Sequence, residues 1–78
     1  MNILELFEMN RERIVYCYQP DGKGQPGKVA YLFIDGKASV LDRAPDDTGG
    51  RYAHKACKRV EECVRKNNLP IKFIQAWH

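Results

Sequence analysis

The sequence predicts a small α+β domain, an antiparallel sheet packed with two helices in the order α-β-β-β-α-β. Three observations predict it: a helical repeat of apolar side chains in residues 51–67, two strand-like runs around Asp35-Gly36, and a strand-like alternation in residues 71–77. Because the chain has only 78 residues, residues 1–78 are expected to form one domain, which buries about 60% of its unfolded surface.

The first segment of the chain admits two interpretations. Asn2, followed three residues later by Glu5, has the spacing of a capping box and predicts a short helix that ends near Asn10. The alternative is a strand, because the side chains from Ile3 to Met9 can also be assigned to two alternating faces. The predicted fold uses the helix.

The next segments predict strands. Residues 14–18 are β-branched, aromatic or Cys and predict a strand, whereas residues 22–28 combine glycine, proline and lysine and predict a flexible basic loop. Residues 29–34 and 37–41 predict a hairpin, since Asp35-Gly36 is typical of a two-residue type I′ turn. Residues 71–77 follow as the last strand.

The type I′ turn would pair Tyr31 with Val40 and Phe33 with Ala38. One face of the hairpin would then be aromatic, and the small residues of the long helix are expected to pack on it. The opposite face would be apolar as well, and something has to cover part of it. Its members are Ala30, Leu32, Ile34 and Leu41.

Residues 51–67 predict an amphipathic helix, because their small and apolar side chains fall within one arc of about 140°. The residues of this apolar arc are Tyr52, Ala53, Ala56, Cys57, Val60, Cys63 and Val64. Asp47 or Thr48 is expected to cap the start of the helix, and Asn67-Asn68 and Pro70 are expected to end it.

Charge is distributed unevenly along a chain whose net charge is +3. Residues 1–50 have six Lys/Arg against eight Asp/Glu, whereas residues 51–67 have six against two, so the helix is the electropositive element. Lys58–Glu62 and Glu62–Lys66 are expected to form pairs one turn apart. The predicted nucleic-acid contacts are Arg51, Lys55, Lys58 and Arg59 on the helix, with Lys23 and Lys28 from the loop.

Catalytic and metal-binding chemistry find little support in the sequence. The chain has one serine and one threonine, and His54 lies one turn from Cys57 at a place where a packed thiol beneath a solvated histidine is the ordinary arrangement. His78 is the only other histidine. No catalytic residue, metal ligand or cofactor is therefore predicted, and the protein is expected not to be an enzyme.

The cysteines indicate a compartment. Cys17, Cys57 and Cys63 are odd in number and lack a C-x-x-C spacing, so they are expected to be reduced packing residues in a cytoplasmic protein. Charged residues interrupt every apolar run near the start of the chain, and neither a secretory signal nor a membrane span is expected.

The layout resembles the double-stranded-RNA-binding domain. The resemblance lies in Gly24, Pro26 and Gly27 of the loop, in Asp35-Gly36-Lys37 of the hairpin, and in the helix start Ala53-His54-Lys55-Ala56-Cys57-Lys58. It implies that Lys55 and Lys58 contact phosphates across a major groove of duplex RNA, and that the loop around residues 24–28 approaches a minor groove.

A protein-interaction module is the alternative function. The apolar hairpin face could dock a protein partner or a second copy, with the chain acting as an adaptor or inhibitor of the kind that mobile genetic elements encode. The predicted interface residues are Leu32, Ile34, Leu41 and Trp77.

Overall fold

The computed structural model describes residues 1–77, which form a five-stranded antiparallel sheet with one helix on one face. The coarse prediction of a small antiparallel α+β domain is confirmed, and the prediction of two helices is wrong. The elements are β1 (Asn2–Met9), β2 (Arg13–Pro20), β3 (Gly27–Leu32), β4 (Lys37–Asp42), α1 (Arg51–Arg65) and β5 (Lys72–Gln75).

The strand order across the sheet is β4-β3-β2-β1-β5. Strands β1 to β4 form a meander of consecutive antiparallel pairs. Helix α1 then crosses back over one face, so that β5 joins the free side of β1, again antiparallel. The two edges of the sheet are therefore β4, next to the helix in sequence, and the four-residue β5.

The segment predicted as the first helix is the strand β1. Leu4 pairs with Tyr18 on one side and with Phe73 on the other, and its side chain is fully buried beneath the helix. Asn2 lies on the same covered face as Leu4, whereas Glu5 is exposed. The resemblance to a capping box was therefore coincidental, because the alternation that buries Leu4 is satisfied only by pairing with both neighbouring strands.

The hairpin between β3 and β4 closes with four residues rather than two. The N–H groups of Asp35 and Gly36 both donate to the carbonyl of Leu32, at 3.1 and 2.9 Å. Of these two turn residues only Gly36 has a positive φ, of 66°, so a type I′ turn does not form. The register moves by two residues, so that Tyr31 pairs with Ala38. Because the shift is even, the residues that remain paired keep their predicted faces, whereas Phe33 and Ile34 lie in the turn and Leu41 is left unpaired.

The loop before β3 is shorter than predicted. Gly27 belongs to β3 and is buried, and a Cβ there would lie 2.4 Å from the carbonyl oxygen of Asp42 and 2.6 Å from the Tyr18 ring. The position excludes any side chain because the strand passes directly beneath the connection to α1. Glycine at this point thus reflects close packing rather than flexibility.

The core lies between α1 and the sheet. The predicted apolar face of α1 is confirmed, since its buried residues are Ala53, Ala56, Cys57, Val60 and Cys63. They pack with Tyr16, Tyr18, Val29 and the partly buried Tyr31, so the helix covers the predicted aromatic face. Small side chains on α1 allow it to approach the large side chains of the strands.

Both ends of α1 are held by identifiable hydrogen bonds. Gly50 precedes the helix in the left-handed region, and the buried carboxylate of Asp47 accepts hydrogen bonds from the N–H groups of Tyr52 and Ala53 at 3.2 and 2.9 Å. The helix ends at Arg65, two residues earlier than predicted. Asn67 has φ 53°, and the N–H of Asn68 donates to the carbonyl of Cys63, which forms a Schellman motif.

The second face of the sheet, called here the open face, is not covered by any helix or strand of residues 1–77. Phe7 and Ile74 there are 57% and 62% exposed. Arg13 donates a 2.9 Å hydrogen bond to Glu8, and this ion pair holds the pKa of Glu8 below its usual value. The residues whose register places them on this face include Ile3, Glu5, Glu8, Arg13, Val15, Cys17, Lys28, Ala30, Leu32, Ser39, Lys72 and Ile74.

Candidate nucleic-acid interface

The candidate interface is built on the first two turns of α1. Arg51, Lys55 and Lys58 recur at intervals of four and three residues, which places them along one side of the helix. The apolar side of the same turns is fixed against the sheet by Ala53 and Ala56, both fully buried. The orientation of the basic side chains therefore follows from the packing of the core.

Trp77 lies beside these cations. Its ring is 5.4 Å from the ring of Tyr52, in an edge-to-face arrangement, and the Nζ of Lys55 lies 4.9 Å from its centroid. One open concavity is formed by Trp77 together with the outer side of α1. Its lining residues are Arg51, His54, Lys55, Lys58 and Trp77.

The electrostatics of this concavity differ from those of the second half of α1. Of residues 1–77, none that lines the concavity is acidic. In the second half, Glu62 lies 3.6 Å from Lys66 and accepts a hydrogen bond from Arg59, and the charge of Lys66 together with that bond holds the pKa of Glu62 below its usual value. Lys58 forms no ion pair within the described part of the chain, so the expected Lys58–Glu62 pair is replaced by Arg59–Glu62.

The six predicted nucleic-acid contacts do not form one surface. Arg51, Lys55 and Lys58 share the concavity, whereas the guanidinium of Arg59 is engaged by Glu62 and lies 5.6 Å from the Phe73 ring. Lys28 belongs to the open face, on the other side of the sheet from α1, with its Nζ 4.4 Å from the Phe7 ring centroid.

Lys23 is an exposed residue of the β2–β3 loop. Two residues earlier, Asp21 accepts a 2.8 Å hydrogen bond from the hydroxyl of Tyr52, in the first turn of α1. This bond holds the pKa of Asp21 below its usual value and raises the pKa of Tyr52. The loop is thus tied to the end of the molecule that bears the concavity.

The four residues of the predicted protein interface are also separated. Leu32 lies on the open face, Ile34 is 93% exposed in the four-residue turn, and Leu41 is 51% exposed on the edge strand β4. Trp77 lies against Tyr52 on the helix side of the sheet. The four predicted interface residues therefore do not share one surface, because Leu41 lies at an edge of the sheet and Trp77 lies in the concavity with Arg51 and Lys55.

The thiols have the properties of packing residues. Burial raises the pKa of Cys57 to about 11 and also raises the pKa values of Cys17 and Cys63. A thiol acts as a nucleophile when its pKa is lowered, and burial shifts the pKa of Cys57 in the opposite direction. Its side chain is 8% exposed, which is typical of a packed thiol.

Residues 1–77 contain no group of three or more His, Cys, Asp or Glu side chains placed to bind a metal ion. Within the same described range, no helix has both the length and the apolar character needed to cross a membrane.

The sequence-based prediction grouped Trp77 with Leu32, Ile34 and Leu41, whereas the structure places it beside Lys55. His54 was not predicted as a residue of this concavity. Trp77 follows Lys55 by more than twenty residues and meets it only because β5 returns to pair with β1. His54 could have been found, since it lies four residues before Lys58 and three after Arg51 on the same side of the helix.

The sequence and the structure were compared with known proteins, and these comparisons do not assign a function. No protein-family model matches the sequence, no curated protein matches it, and no solved structure matches it.

Proposed function

We propose that this protein is a small, non-enzymatic module that binds the phosphate backbone of nucleic acid through the concavity of Arg51, His54, Lys55, Lys58 and Trp77. The supporting observation is that three cations on successive turns share one concavity that no acidic residue lines. Cations grouped in this way release the counterions that surround phosphates, which is the main source of non-specific affinity for nucleic acid.

The position on the helix favours the same ligand. The concavity begins at the first residue of α1, where the partial positive charge of the helix dipole adds to that of Arg51. Asp47 offsets part of that charge, but its carboxylate is buried and directed at the N–H groups of the helix rather than at the concavity. An anion in the concavity would meet cationic side chains first.

Duplex RNA is the form of nucleic acid that we propose. The support is the likeness to the double-stranded-RNA-binding domain at Lys55 and Lys58, which lie nearly one turn apart on the outside of α1. The nearby Trp77 ring forms an edge-to-face pair with Tyr52 and has the Nζ of Lys55 over it, so it is less available for stacking on an unpaired base.

The test is binding of a duplex RNA and of a single strand of the same sequence at several salt concentrations. The double variant Lys55→Ala/Lys58→Ala is expected to bind duplex weakly and to reduce the slope of log K against log salt by about one unit per lysine. The matched control is Lys66→Ala/Lys72→Ala, which removes the same charge from outside the concavity.

If both double variants lose the same affinity for duplex RNA, the loss comes from net charge alone, and the proposed site is rejected. Trp77→Leu separates the two ligands: it should leave duplex binding within about twofold, whereas loss of a stacked base would weaken single-strand binding by about 1–3 kcal/mol. A single strand that binds more tightly than the duplex would reject duplex RNA as the ligand.

A further inference from the structure

The edge strand β4 leaves hydrogen-bonding groups pointing away from the sheet. The N–H of Ala38 does not bond to β3 and instead donates a 2.8 Å hydrogen bond to a carboxylate oxygen of Glu61 on α1. Ala38 and Tyr31 are therefore a non-hydrogen-bonded pair of the β3–β4 ladder. By the alternation of an antiparallel ladder, Val40 also turns its N–H and C=O groups outward.

There is space beside this edge. An open groove lies between the start of α1 and β4. Its lining residues are Ala38, Ser39, Val40, Gly49, Gly50, Arg51, His54 and Cys57. Val40 is 47% exposed there. An additional strand that pairs with β4 would lie beside this groove and would displace the Glu61 side chain from the N–H of Ala38.

The sequence of β4 is complementary to itself in one antiparallel register. Suppose that a twofold axis places Ser39 of one copy opposite Ser39 of a second copy. Ala38 of each copy then lies opposite Val40 of the other copy. Both residues present outward N–H and C=O groups, so each Ala38–Val40 pair can exchange two hydrogen bonds. Their side chains lie on the helix-covered face in both copies.

The irregularity in β4 adds charge complementarity to this register. Val29 pairs with Val40 but Lys28 pairs with Asp42, so Leu41 is an extra residue that advances the pairing by one. Beyond Leu41, Asp42 of one copy therefore comes opposite Lys37 of the other. Lys37 and Asp42 lie on the same face, because their partners Leu32 and Lys28 share the open face.

We propose that β4 is a self-pairing edge, at which two copies of this chain join antiparallel about Ser39 into one ten-stranded sheet with both helices on the same face. Each twofold interface gains four backbone hydrogen bonds and two Lys37–Asp42 pairs. Glu61 must release the N–H of Ala38 for the strands to meet, so pairing competes with a contact inside each copy. The interface is small, and the dimer forms with increasing protein concentration.

A cysteine at the twofold axis tests this geometry. Ser39 is exposed and would face its copy in a non-hydrogen-bonded pair, where Cα atoms are about 4.5 Å apart and within the range that a disulfide spans. Ser39→Cys is therefore expected to give a covalent dimer under mild oxidation. The controls are the wild type, which reports on the native thiols, and Lys58→Cys, which places an exposed thiol on α1.

A charge exchange tests the register. Lys37→Asp or Asp42→Lys alone would oppose like charges twice across the axis, and each is expected to raise the dissociation constant of the dimer roughly tenfold in sedimentation. The double variant restores opposite charges and should return to the wild-type value. Both residues are exposed, so circular dichroism is expected to show unchanged folding.

Cross-linking of Ser39→Cys no faster than Lys58→Cys would overturn the proposal. Single charge reversals that leave the dissociation constant unchanged, or a double variant that behaves like the singles, would overturn it as well. These results are separable from RNA binding, because neither Ser39, Lys37 nor Asp42 lines the basic concavity.

Discussion

The two faces of the sheet come from the same strands but have different physical roles. Beneath α1, Leu4, Tyr16 and Tyr18 are fully buried, whereas on the open face Phe7 and Ile74 are more than half exposed. The polar groups of the two faces also differ in their exposure to water. On the covered face, the hydroxyl of Tyr16 donates to the carbonyl of Pro70 and the hydroxyl of Tyr18 donates to Asp47. On the open face, Arg13 and Glu8 form an ion pair that is partly exposed.

This difference shows that the cover supplied by α1 removes more apolar surface from water than the strands do alone. On the open face only inner side chains such as Val15 and Ala30 are buried, at 1% and 2% exposure, whereas Phe7 and Ile74 stay in contact with water. Substitutions on the covered face should therefore be costly, and substitutions of the exposed residues on the open face should be tolerated. Four measurements can sharpen or break this contrast.

The largest effect is expected from truncating Leu4. Leu4→Ala removes a fully buried side chain between Tyr18 and Phe73 and should lower the free energy of unfolding by about 2–5 kcal/mol. The control on the neighbouring strand is Ile74→Ala, which is expected to cost less than about 1 kcal/mol because Ile74 is 62% exposed. Urea denaturation of both variants measures the difference, and equal losses would break the contrast.

A smaller effect is expected at the start of α1. Asp47→Ala removes the acceptor for the N–H groups of Tyr52 and Ala53 and for the hydroxyl of Tyr18, so unfolding should become easier by about 2 kcal/mol. Asp46→Ala is the matched control, because its carboxylate is exposed. Similar midpoints for the two variants in urea would show that Asp47 is not the cap.

Alkaline pH should act on the covered face. Burial raises the pKa of Tyr16 and of Tyr18 to about 12, against about 10 in an unfolded chain. The unfolded state therefore loses protons first, and the free energy of unfolding should fall as the pH rises from about 10 to 12. Tyr16→Phe should cost about 1 kcal/mol at neutral pH through its lost bond to Pro70, and should lessen the alkaline decline.

The control for that variant is Tyr31→Phe, because Tyr31 makes no side-chain hydrogen bond in the described part of the chain and its loss should be near zero. An alkaline decline that is identical in Tyr16→Phe and the wild type would contradict the assignment.

The smallest effect is expected on the open face. The hydrogen bond from Arg13 lowers the pKa of Glu8, so the stabilisation from this pair is present above the usual carboxyl pKa and is lost as the pH falls through the lowered value. Arg13→Gln should return the pKa of Glu8 toward its usual value, as measured by NMR titration. An unchanged pKa in this variant would mean that the exposed pair is not formed in solution.

Local patterns predicted part of this fold, and contacts between distant segments decided the rest. The amphipathic character of residues 51–65 was readable because a helix repeats its pattern within a few residues. Asn2 and Glu5 were misinterpreted because the faces of β1 are defined by β2 and β5, which are remote in sequence. Phe33 and Ile34 have strand-like side chains, yet they form the turn, so the hairpin register was missed.

The candidate site shows the same limit. The three cations of the concavity were predicted because they share one helix, but Lys28 was grouped with them although it lies beyond the sheet. Nothing local in the sequence indicates that Trp77 lies beside Lys55. Only the return of β5 to β1 brings the two together.

That return also has a kinetic consequence during synthesis. Asn2 of β1 pairs with Gln75 of β5, and the two residues are 73 positions apart in the sequence. At ribosomal rates of about 5–20 residues per second, β5 is therefore synthesised roughly 4–15 s after β1. In that interval β1 is an unprotected edge, and nascent chains growing side by side on one messenger could pair there. Slower translation is therefore expected to lengthen the time for which this edge of β1 stays unpaired.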